Sequence, residues 1–143
     1  MALDEIKEKF VGVWKLDRSE NFQEFLNEMG VGLPLRKMAS LAKPEMTISI
    51  ESNNKIKIVM KTGFFTQEDC FNLNEEFLKE MQKTVMKATA TYEDGVLKMI
   101  NTPVDPKSKI KEQIVHRERV GDEIVLTMYV GNVVCKRYMK KIG

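Results

Sequence analysis

The sequence contains few of the residues that usually mark a catalytic or metal site. Its 143 residues include one histidine, His116, and two cysteines, Cys70 and Cys135, which lie far apart and form no CxxC pattern. No Cys-His or Ser-His pair can be placed, and no spacing matches a set of metal ligands. We therefore expect neither an enzyme nor a cofactor or metal site. Both thiols are expected to be reduced, as in the cytoplasm.

An excess of one charge and long apolar runs are also missing. The net charge is +2, and basic and acidic residues alternate along most of the chain, which argues against nucleic-acid binding. Residues 1–9 are charged where a signal peptide would be apolar, and no apolar run approaches the roughly 20 residues of a membrane span. These features predict a cytoplasmic monomer with a single domain, residues 1–143.

Helical periodicity is confined to one stretch near the N-terminus. After Asn21, with Glu24 placed as in a capping box, apolar residues recur at helical spacing and Gly30 ends the helix. These apolar residues are Phe22, Phe25, Leu26 and Met29. A second helix begins at Gly32-Leu33-Pro34, with Pro34 suited to its first turn, and ends at Lys43-Pro44. Its predicted apolar side comprises Leu35, Met38, Ala39 and Ala42. The pair, over about residues 20–42, is expected to pack its apolar side inward, where it could also touch a ligand.

The rest of the chain alternates between apolar and polar residues at the period of β-strands. Strands are predicted over residues 10–16, 46–50, 55–61, 68–73, 85–92, 96–101, 110–120, 124–130 and 133–140. An open sheet of so many short strands would leave exposed edges, so this antiparallel meander predicts a barrel. The helix pair would cap one end, and Trp14 would belong to the core at the other.

The last strand turns an arginine toward the interior. In residues 133–140 one face carries Lys136 and Lys140, so the opposite face, with Arg137, is the inner one. The two-residue turn at 131–132 pairs Arg137 with Leu126, and the turn at 121–122 pairs Leu126 with Arg117. The two arginines then share one inner row, and no acid on that face neutralises them. A ligand carboxylate is the counter-charge that this arrangement predicts.

A longer motif identifies the chain as similar to a known family. The N-terminal part of the motif is Gly12-x-Trp14-Lys15-Leu16-x-x-Ser19-x-Asn21-Phe22-x-x-Phe25-Leu26-x-x-Met29-Gly30-Val31-Gly32, followed by Arg36, Ala39 and Lys43-Pro44. Thr127, Gly131, Cys135 and Arg137 continue it near the C-terminus. The pattern closely resembles the intracellular fatty-acid-binding proteins. The resemblance implies a mainly β fold, a ten-stranded antiparallel β-barrel or β-clam with a helix-turn-helix lid, which carries long-chain fatty acids between membranes and partners.

The resemblance also implies the residues of the site. Arg117 and Arg137 fall on the two family arginines that receive the carboxylate directly or through water, and Phe64 falls on a gate phenylalanine. The expected cavity or lid lining is Phe22, Phe25, Leu26, Met29, Met38, Phe64, Val115, Leu126, Met128, Cys135 and Met139. Many members have a tyrosine two residues after the second arginine, whereas here Met139 takes that inward position. Tyr138 therefore points outward and contacts a carboxylate only if a bulge shifts the register.

Two other functions remain open at this point. The same scaffold carries retinoids, and two arginines disfavour retinol but not retinoic acid or another hydrophobic acid. The chain could also be a partner-binding module that docks through its helical lid. The outer face of that lid carries Arg36, Lys37 and Lys43, which could favour transient contact with an anionic membrane surface.

Overall fold

Ten antiparallel strands follow one another around a nearly closed barrel in the computed structural model, which describes residues 2–63 and 65–143. The strands are β1 (Gly12–Glu20), β2 (Glu45–Ile50), β3 (Ile56–Lys61), β4 (Thr66–Phe71), β5 (Phe77–Met81), β6 (Thr84–Glu93), β7 (Val96–Pro103), β8 (Gln113–Val120), β9 (Glu123–Val130) and β10 (Val133–Lys141). The helices are α1 (Ala2–Lys9), α2 (Phe22–Glu28) and α3 (Leu33–Leu41). Pairing of β1 with β10 joins the two halves of the sheet and leaves β4 and β5 as its ends. The predicted barrel with a helix pair after its first strand is confirmed.

Helix α1, for which the sequence analysis predicted no helix, closes one end of the barrel. Ile6 and Phe10 are fully buried beside Trp14. The indole Nε1 of Trp14 donates a hydrogen bond to the carbonyl oxygen of Phe10 at 2.9 Å. This largely charged segment is therefore an ordered helix, because it buries its apolar side against the strands. Trp14 lies in the core, as predicted.

The register of the last hairpins agrees with the prediction. Leu126 pairs with Arg137 on one side and with Arg117 on the other. Gly131 opens the β9–β10 turn with a φ of 56°, a left-handed backbone conformation that glycine adopts without steric cost. The inner row of two arginines flanking a leucine is therefore present.

The helix pair is present, but two predicted details are wrong. Asn21 stands at the start of α2 without a side-chain cap, and its Nδ2 donates instead to the carbonyl oxygen of Val134 at 3.1 Å. Leu35 and Met38 of α3 are about half exposed rather than buried. These two residues of α3 remain exposed because α2 is the helix of the pair that packs on β9 and β10, while α3 packs on α2. Helix α2 therefore presents the main apolar surface to the barrel.

The gap between β4 and β5 is bridged by side chains. The rings of Phe71 and Phe77 stack with their centroids 5.3 Å apart. Beside them, the Nζ of Lys79 on β5 lies 2.8 Å from a carboxylate oxygen of Asp69 on β4, and both side chains are buried. Burial lowers the pKa of Lys79, while the negative charge of Asp69 acts in the opposite direction. An ion pair thus connects the two strands that end the sheet.

Removing one partner of this ion pair is expected to destabilise the fold. Lys79→Met leaves the Asp69 carboxylate buried without its partner, so the free energy of unfolding should fall by about 3 kcal/mol. The double variant Asp69→Leu/Lys79→Met removes both charges and should recover most of that loss. Urea denaturation measures the three proteins. A Lys79→Met variant as stable as the wild type would show that the pair does not hold the gap.

Candidate ligand-binding site

A cavity of about 250 Å³ lies between α2 and the inner faces of the strands. Its apolar walls include the predicted residues Phe22, Phe25, Leu26, Met29, Val115, Leu126 and Met128. The helical residues reach it because they lie on the side of α2 that packs on the barrel, and the strand residues because they alternate inward. This mixture of aromatic, methionine and aliphatic side chains can surround a flexible apolar chain.

Arg117 brings a buried cation to this cavity. Its side chain lines the cavity wall, the residue is 8% exposed, and its Nε has no hydrogen-bond partner among the described residues. Burial lowers the pKa of Arg117, whereas the charge of Asp69 acts to raise it. The guanidinium nevertheless remains a cation at neutral pH. The prediction that no acid lies on the inner face covered only β8, β9 and β10; Asp69 brings a carboxylate into the interior from β4, at one end of the sheet.

Arg137 lies in the same row but in different surroundings. Its Nε donates to the Oγ of Ser19 at 2.9 Å, and its guanidinium carbon lies 3.6 Å from the centre of the Phe22 ring. Ser19, although exposed, pairs with Arg137 because the β1–β10 register shifts between Leu16 and Arg18, as a bulge would do. Burial lowers the pKa of Arg137 to about 10.

Arg137 lines a second, smaller cavity of about 140 Å³ under the helix pair. Phe22, Leu26, Met60 and Phe65 belong to the walls of both cavities. These four shared residues form an apolar partition between the two cavities. Arg117 lies on one side of the partition and Arg137 on the other, so the two cations do not line the same cavity.

Several predicted residues lie elsewhere. Cys135 is buried next to α2, and Met139 is buried in the main core, so both pack behind the cavity instead of forming its walls. Met38 is 52% exposed on α3 and does not line the interior. Phe64 lies outside the described residues. Tyr138 points outward, as strand alternation indicated: its hydroxyl donates to a carboxylate oxygen of Glu20 at 3.1 Å.

The cavity also has a polar wall that the sequence analysis missed. Asp69, Lys79, Asn101 and Gln113 all line it, and the Nδ2 of Asn101 donates to the Oε1 of Gln113 at 3.0 Å. Alternation contained the signal, because Asn101 follows Met99 at a two-residue spacing on one strand face. Asp69 has the same relation to Phe71.

Comparison with known proteins places this architecture in a family. The model of the lipocalin and cytosolic fatty-acid binding protein family matches residues 11–141. This chain belongs to that family. Adipocyte fatty acid-binding protein of Pygoscelis papua is 34% identical over 137 residues, which cover 94% of this chain and 98% of the relative. The resemblance inferred from the motif is therefore confirmed.

Solved structures agree with the fold of this family member. Fatty-acid-binding protein 1 of Echinococcus granulosus superposes with a TM-score of 0.85 at 31% identity, over 95% of this chain and 99% of that one. Apo lipid binding protein 8 of Caenorhabditis elegans gives 0.88 at 26% identity, over 94% and 96%. As expected from the sequence, these named relatives are binding proteins rather than enzymes. In the described part of the chain, no helix combines the length and apolarity needed to cross a membrane.

The positions of the two thiols can be tested directly. Cys70 is exposed and Cys135 is fully buried, and burial raises the pKa of Cys135 to about 11. Because the thiolate is the reactive form, iodoacetamide at neutral pH should label one thiol of the native protein and both after denaturation. Peptide mass spectrometry should assign the native label to Cys70. Equal labelling of both thiols in the native protein would contradict the placement of β10.

Proposed function

We propose that this protein is a cytoplasmic, monomeric carrier that binds a long-chain fatty acid in its cavity, with the carboxylate directed to the inner arginines. The observation that carries the proposal is Arg117, a buried cation on the wall of a largely apolar cavity, whose Nε has no hydrogen-bond partner among the described residues. Such a donor requires an acceptor, and an anionic one also offsets the desolvated charge. Relatives named as fatty-acid-binding proteins support the same ligand class.

The apolar chain of the ligand supplies most of the affinity. Burial of about fifteen methylenes at roughly 0.8 kcal/mol each offers about 12 kcal/mol before the costs of association. An arginine–carboxylate contact adds charge-assisted hydrogen bonds, but desolvation offsets much of their energy. The arginines therefore orient the ligand and select for acids.

The two arginines have unequal parts in this proposal. Arg117 lines the larger cavity and retains an unpaired Nε, so it is the residue that receives the carboxylate directly. The Nε of Arg137 is already bonded to Ser19, and its guanidinium stacks on Phe22. Arg137 then acts mainly by its charge, and it keeps the Phe22 ring in place in the partition.

Replacing each arginine tests this assignment. Arg117→Ala should weaken oleic acid binding by roughly tenfold or more, because a hydrogen bond to a charged group contributes about 1.5–3 kcal/mol. Binding of oleyl alcohol should change much less. Arg137→Ala should have the same preference with a smaller effect, and Lys136→Ala, on the exposed face of β10, is the matched control. Titration calorimetry measures all pairs. Equal losses for acid and alcohol would refute the carboxylate assignment.

Retinoic acid is the second candidate ligand, because the same buried cations accept any hydrophobic carboxylate. Its rigid polyene needs a straighter space than a flexible alkyl chain. Competition between retinoic acid and oleic acid for a bound fluorescent fatty acid separates the two. Oleic acid is expected to displace the probe at the lower concentration.

The exposed side of α3 supports delivery of the ligand at membranes. Its large apolar residues at the surface are Leu33, Leu35, Met38 and Leu41. The basic residues predicted for this surface contribute less, since Arg36 donates to Asn27 and Val31, and the Nζ of Lys43 donates to the carbonyl oxygen of Asp17. Of these three basic residues, only Lys37 makes no such hydrogen bond within the described part of the chain. Contact with a bilayer through this side would then be mainly apolar, with a smaller electrostatic part.

Transfer kinetics test the membrane contact. Leu35→Ser/Leu41→Ser should slow the transfer of a fluorescent fatty acid to anionic vesicles severalfold, while the equilibrium affinity stays close to that of the wild type. Leu78→Ser, which changes a 67% exposed leucine on β5, is the control and should leave the rate unchanged. Equal slowing by both variants, or a rate independent of vesicle concentration, would contradict collision through α3.

A further inference from the structure

A pair of amide side chains on the wall of the main cavity has unused hydrogen-bonding capacity. Asn101 on β7 is 1% exposed and Gln113 on β8 is 6% exposed, and the two residues are paired across the ladder. The Nδ2 of Asn101 donates to the Oε1 of Gln113. Its Oδ1 is buried and has no hydrogen-bond partner among the described residues. Buried acceptors in folded proteins are nearly always paired, so this oxygen is an unusual feature.

The amide pair faces a space that a ligand would occupy. Both residues line the same cavity as Arg117 and the apolar side of α2. The Oδ1 of Asn101 is already shielded from water, and a plain alkyl chain lying beside the amide would offer it no donor. An unpaired buried acceptor is costly, and a ligand with a donor at this point would satisfy the oxygen.

The separation of the pair from Arg117 indicates which part of a ligand it meets. Gln113 and Arg117 lie on the same face of β8, four residues apart, which corresponds to about 14 Å along the strand. With the carboxylate at Arg117, the headgroup is too far away to reach Asn101. The group beside the amide pair belongs to the middle of a long chain.

We infer that Asn101 and Gln113 form a second polar subsite, which binds a hydroxyl group in the middle of a fatty-acid chain. The hydroxyl donates its hydrogen to the Oδ1 of Asn101. The cavity then prefers a hydroxylated fatty acid to its unsubstituted parent. The inference rests on the proposed function, because the carboxylate at Arg117 sets where the hydroxyl falls.

The buried ion pair between Asp69 and Lys79 extends the polar character of this wall. Both residues line the cavity, and Gln67 beside them donates to the Oδ1 of Asp69 at 3.5 Å. Their charges are directed at each other, so they supply a polar environment rather than the orphan acceptor. A chain that bears a hydroxyl is better matched to this environment than a purely apolar one.

A matched pair of ligands tests the subsite. Oleic acid and ricinoleic acid differ by one mid-chain hydroxyl, and titration calorimetry gives the ratio of their dissociation constants for each protein. Asn101→Leu should shift this ratio by roughly tenfold toward oleic acid, since one hydrogen bond is lost and an apolar wall is gained. Met99→Leu, an inward change on the same strand, should leave the ratio unaltered. Methylating the hydroxyl of ricinoleic acid should remove its advantage in the wild type, because the ether has no hydrogen to donate.

The outcomes separate this inference from the proposed function. If neither acid binds, the fatty-acid carrier function fails. If both bind but Asn101→Leu leaves their ratio unchanged, the carrier function stands and the hydroxyl subsite is wrong. The double variant Asn101→Leu/Gln113→Leu removes both amides and replaces the single variant in this test if Asn101→Leu alone unfolds the protein. Circular dichroism checks that each variant is folded. The same shift of the ratio in the double variant would support the subsite, and no shift would overturn it.

Discussion

Burial of charge inside the barrel is the constraint on which the rest of this structure depends. Among the described residues, three cations and one carboxylate have side chains in the interior: Arg117, Arg137, Lys79 and Asp69. Desolvated charges are tolerated when they are paired, and Asp69 can fully compensate only one cation. This excess of positive charge is the physical basis of the proposal that a cavity with mostly apolar walls accepts an acid rather than a neutral lipid. It also explains why the ion pair across the β4–β5 gap has to remain intact.

The sequence was informative where structure is local. Two-residue turns fix the register of a hairpin, and alternation identifies its inner face. Together they were enough to predict the row of Arg117, Leu126 and Arg137. The sequence was less informative where partners are distant. Strand β5 was missed because acidic residues precede it and Leu78 faces outward, and without β5 the inward Lys79 could not be recognised. Asp69 then lacked a recognisable partner, and its inward position was not predicted.

The helix pair shows a different limit of sequence reasoning. Periodicity identifies the apolar side of a helix but not what covers it. Helix α2 packs directly on the barrel, so the predicted contacts of Phe25 and Met29 exist. Helix α3 packs on α2, and its larger residues, Leu35 and Met38, stay exposed. An apolar side left in water has a cost, which a membrane or another apolar surface would relieve.

The two walls of the cavity act on different parts of one ligand. The apolar wall contributes a binding free energy that increases with the length of the chain, and so it cannot distinguish between acids of similar size. In the proposed function, Arg117 distinguishes acids from alcohols at one end. The unpaired oxygen of Asn101 lies on β7 beside Gln113, which is about 14 Å from Arg117 along β8, and it can distinguish chains that are identical at both ends. Because this oxygen is already buried and unpaired in the free protein, a plain chain gains nothing there, and selectivity arises from the hydrogen bond that the substituted chain adds.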